Sequence, residues 1–176
     1  MRNELDVIPG DPVVLFLRMQ PAWAFVDEIR QFIGAFCITA GVTPEREEQL
    51  AIATHELAQN AIKSATSPTI ELRLIMDKAR GTVAVSLGNT CGAAAQEKLR
   101  AHVAALVQHE PLAGYVEAMR ADPHAPGGLG LARIRFEAQL ELEVALDGDR
   151  VVVTASGDLN PAPLRGALAS PGVLHV

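Results

Sequence analysis

Two stretches of strict alternation constrain this chain more than any other feature. Ile70, Leu72, Leu74 and Met76 alternate with Glu71 and Arg73, and after a turn from Asp77 to Gly81 the pattern resumes with Val83, Val85 and Leu87. A period of two collects the apolar side chains on one face of each strand, so the pair predicts an antiparallel hairpin with a single face to bury. The segments that can cover this face lie upstream. Ala22, Phe25, Val26, Ile29, Phe32, Ile33 and Phe36 recur at helical spacing behind Pro21, with Gly41 as a C-terminal stop. Thr43-Pro44 then supplies a cap and a first-turn proline for a second helix, which carries Glu45, Glu47 and Glu48 near its positive end. On that helix Leu50, Ala53, Leu57, Ala61 and Ala65 share a side, as packing on a sheet requires, and fraying is expected from Ser64 to Pro68.

The remaining segments complete a layered pattern. Pro12 to Arg18 reads as a strand, and Ala93 to Gln108 as an alanine-rich helix bearing Leu99, Val103 and Leu106. Glu110 to Gly130, with its prolines and glycines, reads as a mobile connection or lid around a short helix at Tyr115 to Arg120. Leu129 to Ala138 is helical, and Leu140 to Leu146 and Val151 to Ala155 form a closing hairpin about Asp147-Gly148-Asp149. The expected fold is an α/β two-layer sandwich, a mixed and mostly antiparallel sheet with helices on one face. One domain should span residues 1–157, with a loose tail over 158–176.

Composition bounds what such a fold can do. The 176 residues are 49% apolar and 20% charged, enough for a real core, and the net charge of -6 comes without a lysine-arginine run. Nucleic acid is therefore not an expected partner. No apolar run approaches a membrane span, and the N-terminus lacks the order of a secretion signal, so a cytoplasmic location is expected. Cys37 and Cys91 stand apart without metal-site spacing and read as small buried hydrophobes.

Three short motifs carry chemistry. On the second helix Glu56, Asn60 and Lys63 share a face that borders the core. A carboxylate and an amide so placed can orient a water and ligate a hard cation, although a solvated Glu–Lys pair would give the same pattern. Pro126-Gly127-Gly128-Leu129-Gly130-Leu131 opens a helix, where backbone amides can hold phosphate or where glycines simply form a hinge. A dinucleotide fingerprint fails there, because a Pro-rich loop precedes the glycines and Arg133 replaces the last one. Finally, Leu87-Gly88-Asn89-Thr90-Cys91-Gly92 ends a strand, where Asn89 can read the edge of a ring or serve a turn.

Taken in order, these motifs resemble the histidine-kinase-like ATPase superfamily, with the Bergerat fold, over Glu45 to Ala155. The small size and the lack of a histidine-bearing dimerisation helix resemble its anti-sigma-factor and serine-protein-kinase branch. That resemblance implies ATP and magnesium as cofactors, with Asn60 as the metal ligand and Glu56 as the catalytic base or water-orienter. It also implies that Lys63 is the basic residue following the asparagine, and that Gly127, Gly128, Leu129 and Gly130 hold phosphate. Where the family has Asp-x-Gly-x-Gly, this chain has Asn89-Thr90-Cys91-Gly92-Ala93, a degenerate adenine-side motif in which Asn89 and Gly92 would meet the base. The implied function is a serine/threonine protein kinase or sequestering regulator acting on a small antagonist protein or sigma-like factor, with a homodimer as an expected assembly. The alternative is a partner-binding module that kept the fold and lost nucleotide turnover.

Overall fold

The computed structural model describes residues 11–120 and 128–162. The chain opens with β1 (Val13–Met19), a 3-10 turn at Trp23–Phe25, and two helices, α1 (Val26–Thr39) and α2 (Pro44–Ser64). The hairpin β2 (Ile70–Asp77) and β3 (Thr82–Thr90) follows. Three helices come next, α3 (Ala93–Leu106), α4 (Pro111–Arg120) and α5 (Gly128–Phe136), before the hairpin β4 (Glu141–Asp147) and β5 (Arg150–Asp158).

The sheet order is β1-β2-β3-β5-β4, and every neighbouring pair is antiparallel. The α/β sandwich is as expected, but the sheet is not mixed. After the crossover through α3, α4 and α5, the closing hairpin inserts its second strand next to β3, so β4 never touches a strand running its own way. β4 is left at an edge, where Glu141, Glu143 and Asp147 suit an outer strand.

Helices cover one face only. Ile70, Leu72, Leu74 and Met76 of β2, Val83, Val85 and Leu87 of β3, and Val153 and Ala155 of β5 are buried beneath Ile29 and Ile33 of α1 and Leu50, Leu57 and Ala61 of α2. Leu131 and Ile134 of α5, with Val103 and Leu106 of α3, extend the same layer. The opposite face, with Arg73, Ser86 and Thr154 in one cross-strand row, is open.

Local chemistry sets most element ends. Thr43 caps α2 by accepting from the Arg46 amide at 3.3 Å, Pro44 occupies the first turn, and Gly41 takes the left-handed φ of 75° after α1. α4 is longer than the sequence pattern suggested, because Pro111 begins it; proline fits a first turn, whose amide has no helical partner. Residues 121–127, including part of the anticipated lid and Gly127, lie outside the described residues. At the other end β5 runs to Asp158 and Leu159 is buried, its amide donating to the Gly81 carbonyl at 2.7 Å, so the packed part extends past residue 157.

Arg46 is the most deeply buried charged side chain among the described residues. Arg46, only 1% exposed, donates to Gln49 Oε1 at 2.8 Å and to the carbonyls of Ala138 and Asp158, each at 2.6 Å. It thus ties the start of α2 to the α5–β4 connection and to the end of β5. Burial pulls its pKa down to about 10, against the opposing pull of Asp158. Arg46→Met should destabilise the protein by about 2–4 kcal/mol, since the buried carbonyl of Ala138 and the partly buried one of Asp158 lose their donor. Thr43→Ala, which removes only a cap, should lose about 1 kcal/mol. Denaturant unfolding of both variants checks the ranking; an Arg46 variant no worse than the cap variant would remove its anchoring role.

Candidate functional site

A cavity of about 520 Å³ opens between the helical layer and strands β3 and β5. Leu87 and Val153 contribute from the sheet, Leu57, Asn60, Ala61, Lys63 and Ser64 from α2, Ala95, Lys98, Leu99 and His102 from α3, and Leu131 from α5. Its size and its apolar walls with a few polar groups are those of a small-molecule site. Two lysines and no carboxylate line it, in a chain whose net charge is -6. An anion is the ligand such walls favour.

The local fold explains how these groups converge. α2 carries Asn60 and Lys63 to the rim, and the chain beyond it is held to the end of β3 by Thr66, whose amide donates to the Thr90 carbonyl at 2.8 Å. Asn89 is buried and donates through Nδ2 to Ser64 Oγ at 3.2 Å, which joins strand and helix at the cavity edge. α3 is placed by Gln96, which reaches the Gly148 carbonyl at 3.0 Å, and by Arg135, which donates to the carbonyls of Leu106 and His109 at its far end. Two nitrogens at the cavity, Asn60 Nδ2 and His102 Nε2, are buried without a partner among the described residues. Buried polar atoms of this kind are normally satisfied, which marks both as groups with unused bonding capacity.

Glu56 stands differently from the sequence expectation. It is 8% exposed and does not line the cavity; Arg133 Nη1 donates to its Oε1 at 2.7 Å. Arg133 also grips Glu137 at 3.1 Å, and Glu137 accepts from the Tyr115 hydroxyl at 2.8 Å. One polar chain therefore links α2, α5 and α4. Gly130 belongs to the same junction, because a Cβ there would collide with the Glu56 carboxylate. Its lack of a side chain is explained by close packing of α5 on α2. The Glu137 bond, followed by burial, raises the Tyr115 pKa. Burial pushes the Glu137 carboxyl up, but the Arg133 and Tyr115 bonds prevail and hold it below its ordinary value of 4.5.

Of the residues singled out in the sequence, Asn60, Lys63 and Asn89 come together around one cavity. Gly92 caps α3, while Gly128, Leu129 and Gly130 form the first turn of α5, whose amides lack helical acceptors. A Cβ at Gly128 would lie 3.7 Å from His102 Cε1, so this turn adjoins the α3 wall. Sequence reasoning missed Lys98 and His102, although their spacing of four with Ala95 and Leu99 alongside marks one helix face. It treated Arg133 only as a break in a glycine pattern, since nothing local pairs it with Glu56.

Fold and site thus define an α/β sandwich whose sheet and helices enclose an anion-suited cavity. No family model matches the chain, and no curated protein matches it. Among solved structures it is similar to the crystal structure of the SiaB-SiaC complex from Pseudomonas aeruginosa, with a TM-score of 0.62 and 17% identity over 81% of this chain and 88% of that one. At that identity the likeness concerns the fold. No helix among the described residues is long and apolar enough to cross a membrane.

The Tyr115–Glu137 contact gives a clean optical test, because the chain has one tyrosine. In the folded protein Tyr115 should ionise above its ordinary value of 10.0. The neutral phenol's contribution to stability is thus present below 10.0 and lost as pH rises through the folded value. Glu137→Gln should bring the midpoint back toward 10.0 in an ultraviolet titration; an unmoved midpoint would assign the shift elsewhere.

Proposed function

We propose that the protein binds ATP with magnesium in this cavity and regulates a small antagonist-type protein or sigma-like factor, as the resemblance to the anti-sigma serine-kinase branch implies. The observation that carries this reading is the convergence of Asn60, Lys63 and Asn89 on one cavity without a carboxylate. The residues present fit the ligand. Leu57, Leu87, Leu99 and Val153 offer apolar surface to a purine, Asn89 retains an oxygen acceptor for an exocyclic amine, and Lys63 and Lys98 offset phosphate charge. The first-turn amides of α5 are suitable phosphate donors. Among the described residues no three His, Cys, Asp or Glu side chains converge on a metal site. Asn60 would then be the protein ligand to a magnesium that takes its other oxygens from phosphate and water, the usual way this ion is held. A protein partner is supported by the similar fold occurring in a two-protein complex.

A second reading has one specific observation behind it. Phosphoryl transfer to a hydroxyl needs an acceptor beside the cavity, whereas Glu56 does not line it and pairs through Oε1 with Arg133. A protein that binds nucleotide and sequesters its partner without modifying it accommodates that pair as it stands.

Calorimetric titration with ATP, with and without magnesium, tests the shared part. Asn60→Ala should weaken magnesium-dependent binding by about 10-fold or more with little change in melting temperature. Equal affinity in the two proteins would take Asn60 out of the site. Mass spectrometry of a candidate antagonist after incubation with ATP and magnesium separates the two readings. If the partner is phosphorylated, Glu56→Gln should slow transfer by about 100-fold; an unmodified partner that still binds tightly overturns the kinase reading.

A further inference from the structure

Among the groups that line the cavity, His102 has no partner and no role so far. Its Nε2 is buried without a hydrogen bond among the described residues, and Lys98 and Leu99 of the same helix face line the cavity beside it. A buried ring nitrogen in this state has lost its hydration and gained nothing in return, so its partner has to come from outside the chain. No carboxylate lines the cavity, and the one acid on α3, Glu97, is exposed and paired with Arg100 at 2.9 Å. Lys98 stands one turn before His102, so the complement of the pair is an anionic acceptor carried by the ligand.

The place of His102 along the cavity decides which part of a ligand it meets. α3 starts at its cap Gly92, shortly after Asn89, and Gln96 holds that start to the Gly148 carbonyl at 3.0 Å. Ala95 therefore lies toward the Asn89 end. From there to His102 the helix advances about 10 Å along the cavity, with Lys98 midway. At the far end the imidazole faces the start of α5, because a Cβ on Gly128 would lie 3.7 Å from His102 Cε1, the carbon bonded to Nε2. A ligand whose ring is read at Asn89 thus brings its opposite end between His102 and the first turn of α5.

We infer that His102, with Lys98 beside it, reads the terminal phosphate of a nucleoside triphosphate and so sets the preference of this cavity for a triphosphate over a diphosphate, an inference that rests on the nucleotide reading above. Nε2 donates to an oxygen of the terminal phosphate. Lys98 offsets the added charge, and the opening amides of α5 approach the same group from the other side. A diphosphate held by the same ring contacts ends short of His102 and leaves Nε2 unsatisfied. The difference in affinity is then concentrated in a bond to a charged acceptor, the stronger kind of hydrogen bond.

Calorimetric titration of the full chain with a non-hydrolysable ATP analogue and with ADP, both with magnesium, tests the assignment. His102→Leu fills the same space without a donor, and should weaken the triphosphate by about 10-fold while ADP changes by less than about twofold. The readout is the ratio of the two affinities, which a general loosening of the fold would leave alone. His102→Gln keeps a side-chain N–H and should restore most of the ratio, and Lys98→Met should lower it. Equal losses for both nucleotides in His102→Leu, or no loss for either, overturn the role of His102 and leave the nucleotide reading standing. A His102→Gln protein no more selective than His102→Leu does the same. A wild-type chain that binds neither nucleotide overturns both.

Discussion

The contact of α2 with the sheet is the constraint from which the rest of the molecule follows. The sheet has one apolar face, and α2, at twenty-one residues the longest helix described, lies across it with Leu50, Ala53, Leu57, Ala58 and Ala61 buried. Burying a leucine such as Leu57 is worth about 2 kcal/mol, and the layer contains many equivalents. Its small residues let the helix sit close. Because α2 is fixed by its apolar stripe, the polar residues at the border of that stripe are fixed too. Asn60 therefore reaches the cavity while Glu56, one turn earlier, meets α5.

Three arginines join what the apolar layer alone would leave loose. Arg46 gathers backbone carbonyls from the α5–β4 connection and the end of β5, and Arg135 gathers those at the end of α3 while pairing with Glu141 at 3.1 Å. Arg133, on α5, bridges the carboxylates of Glu56 on α2 and of Glu137 just past the end of α5. The planar fork of donors explains why arginine serves here, since each side chain satisfies several acceptors at once. These contacts add to the apolar surface that α3 and α5 bury through Val103, Leu106, Leu131 and Ile134. α4 buries only Gly114, with Tyr115 stacked on Phe136 at 5.1 Å.

The cavity lies over the middle strands β3 and β5, whereas a groove lined by Leu17, Phe25, Ile29 and Phe32 lies at the outer strand β1. β2 separates the two. α3 and α5 line the cavity and contribute nothing to the groove beside β1.

The sequence by itself determined the elements and the face each one buries. The alternation from Ile70 to Leu87 and the stripe on α2 are local periodicities, and periodicity depends only on backbone geometry. The caps at Thr43 and Gly41 were legible for the same reason, being satisfied within a few residues. Likewise Asn60, Lys63 and Asn89 stood out through motif order. Only the tertiary structure decided what depends on contacts between distant residues. The place of β5 between β3 and β4, and hence an all-antiparallel sheet, follows from how a hairpin docks after a long crossover. The pairing of Glu56 with Arg133 joins residues seventy-seven apart, so a carboxylate that looked like a reacting group is engaged in holding two helices. Gly130 looked like a phosphate glycine, and its neighbour across the interface gives it a packing reason. Lys98 and His102 carry no motif, and only the turn of α3 over the cavity gives them a role.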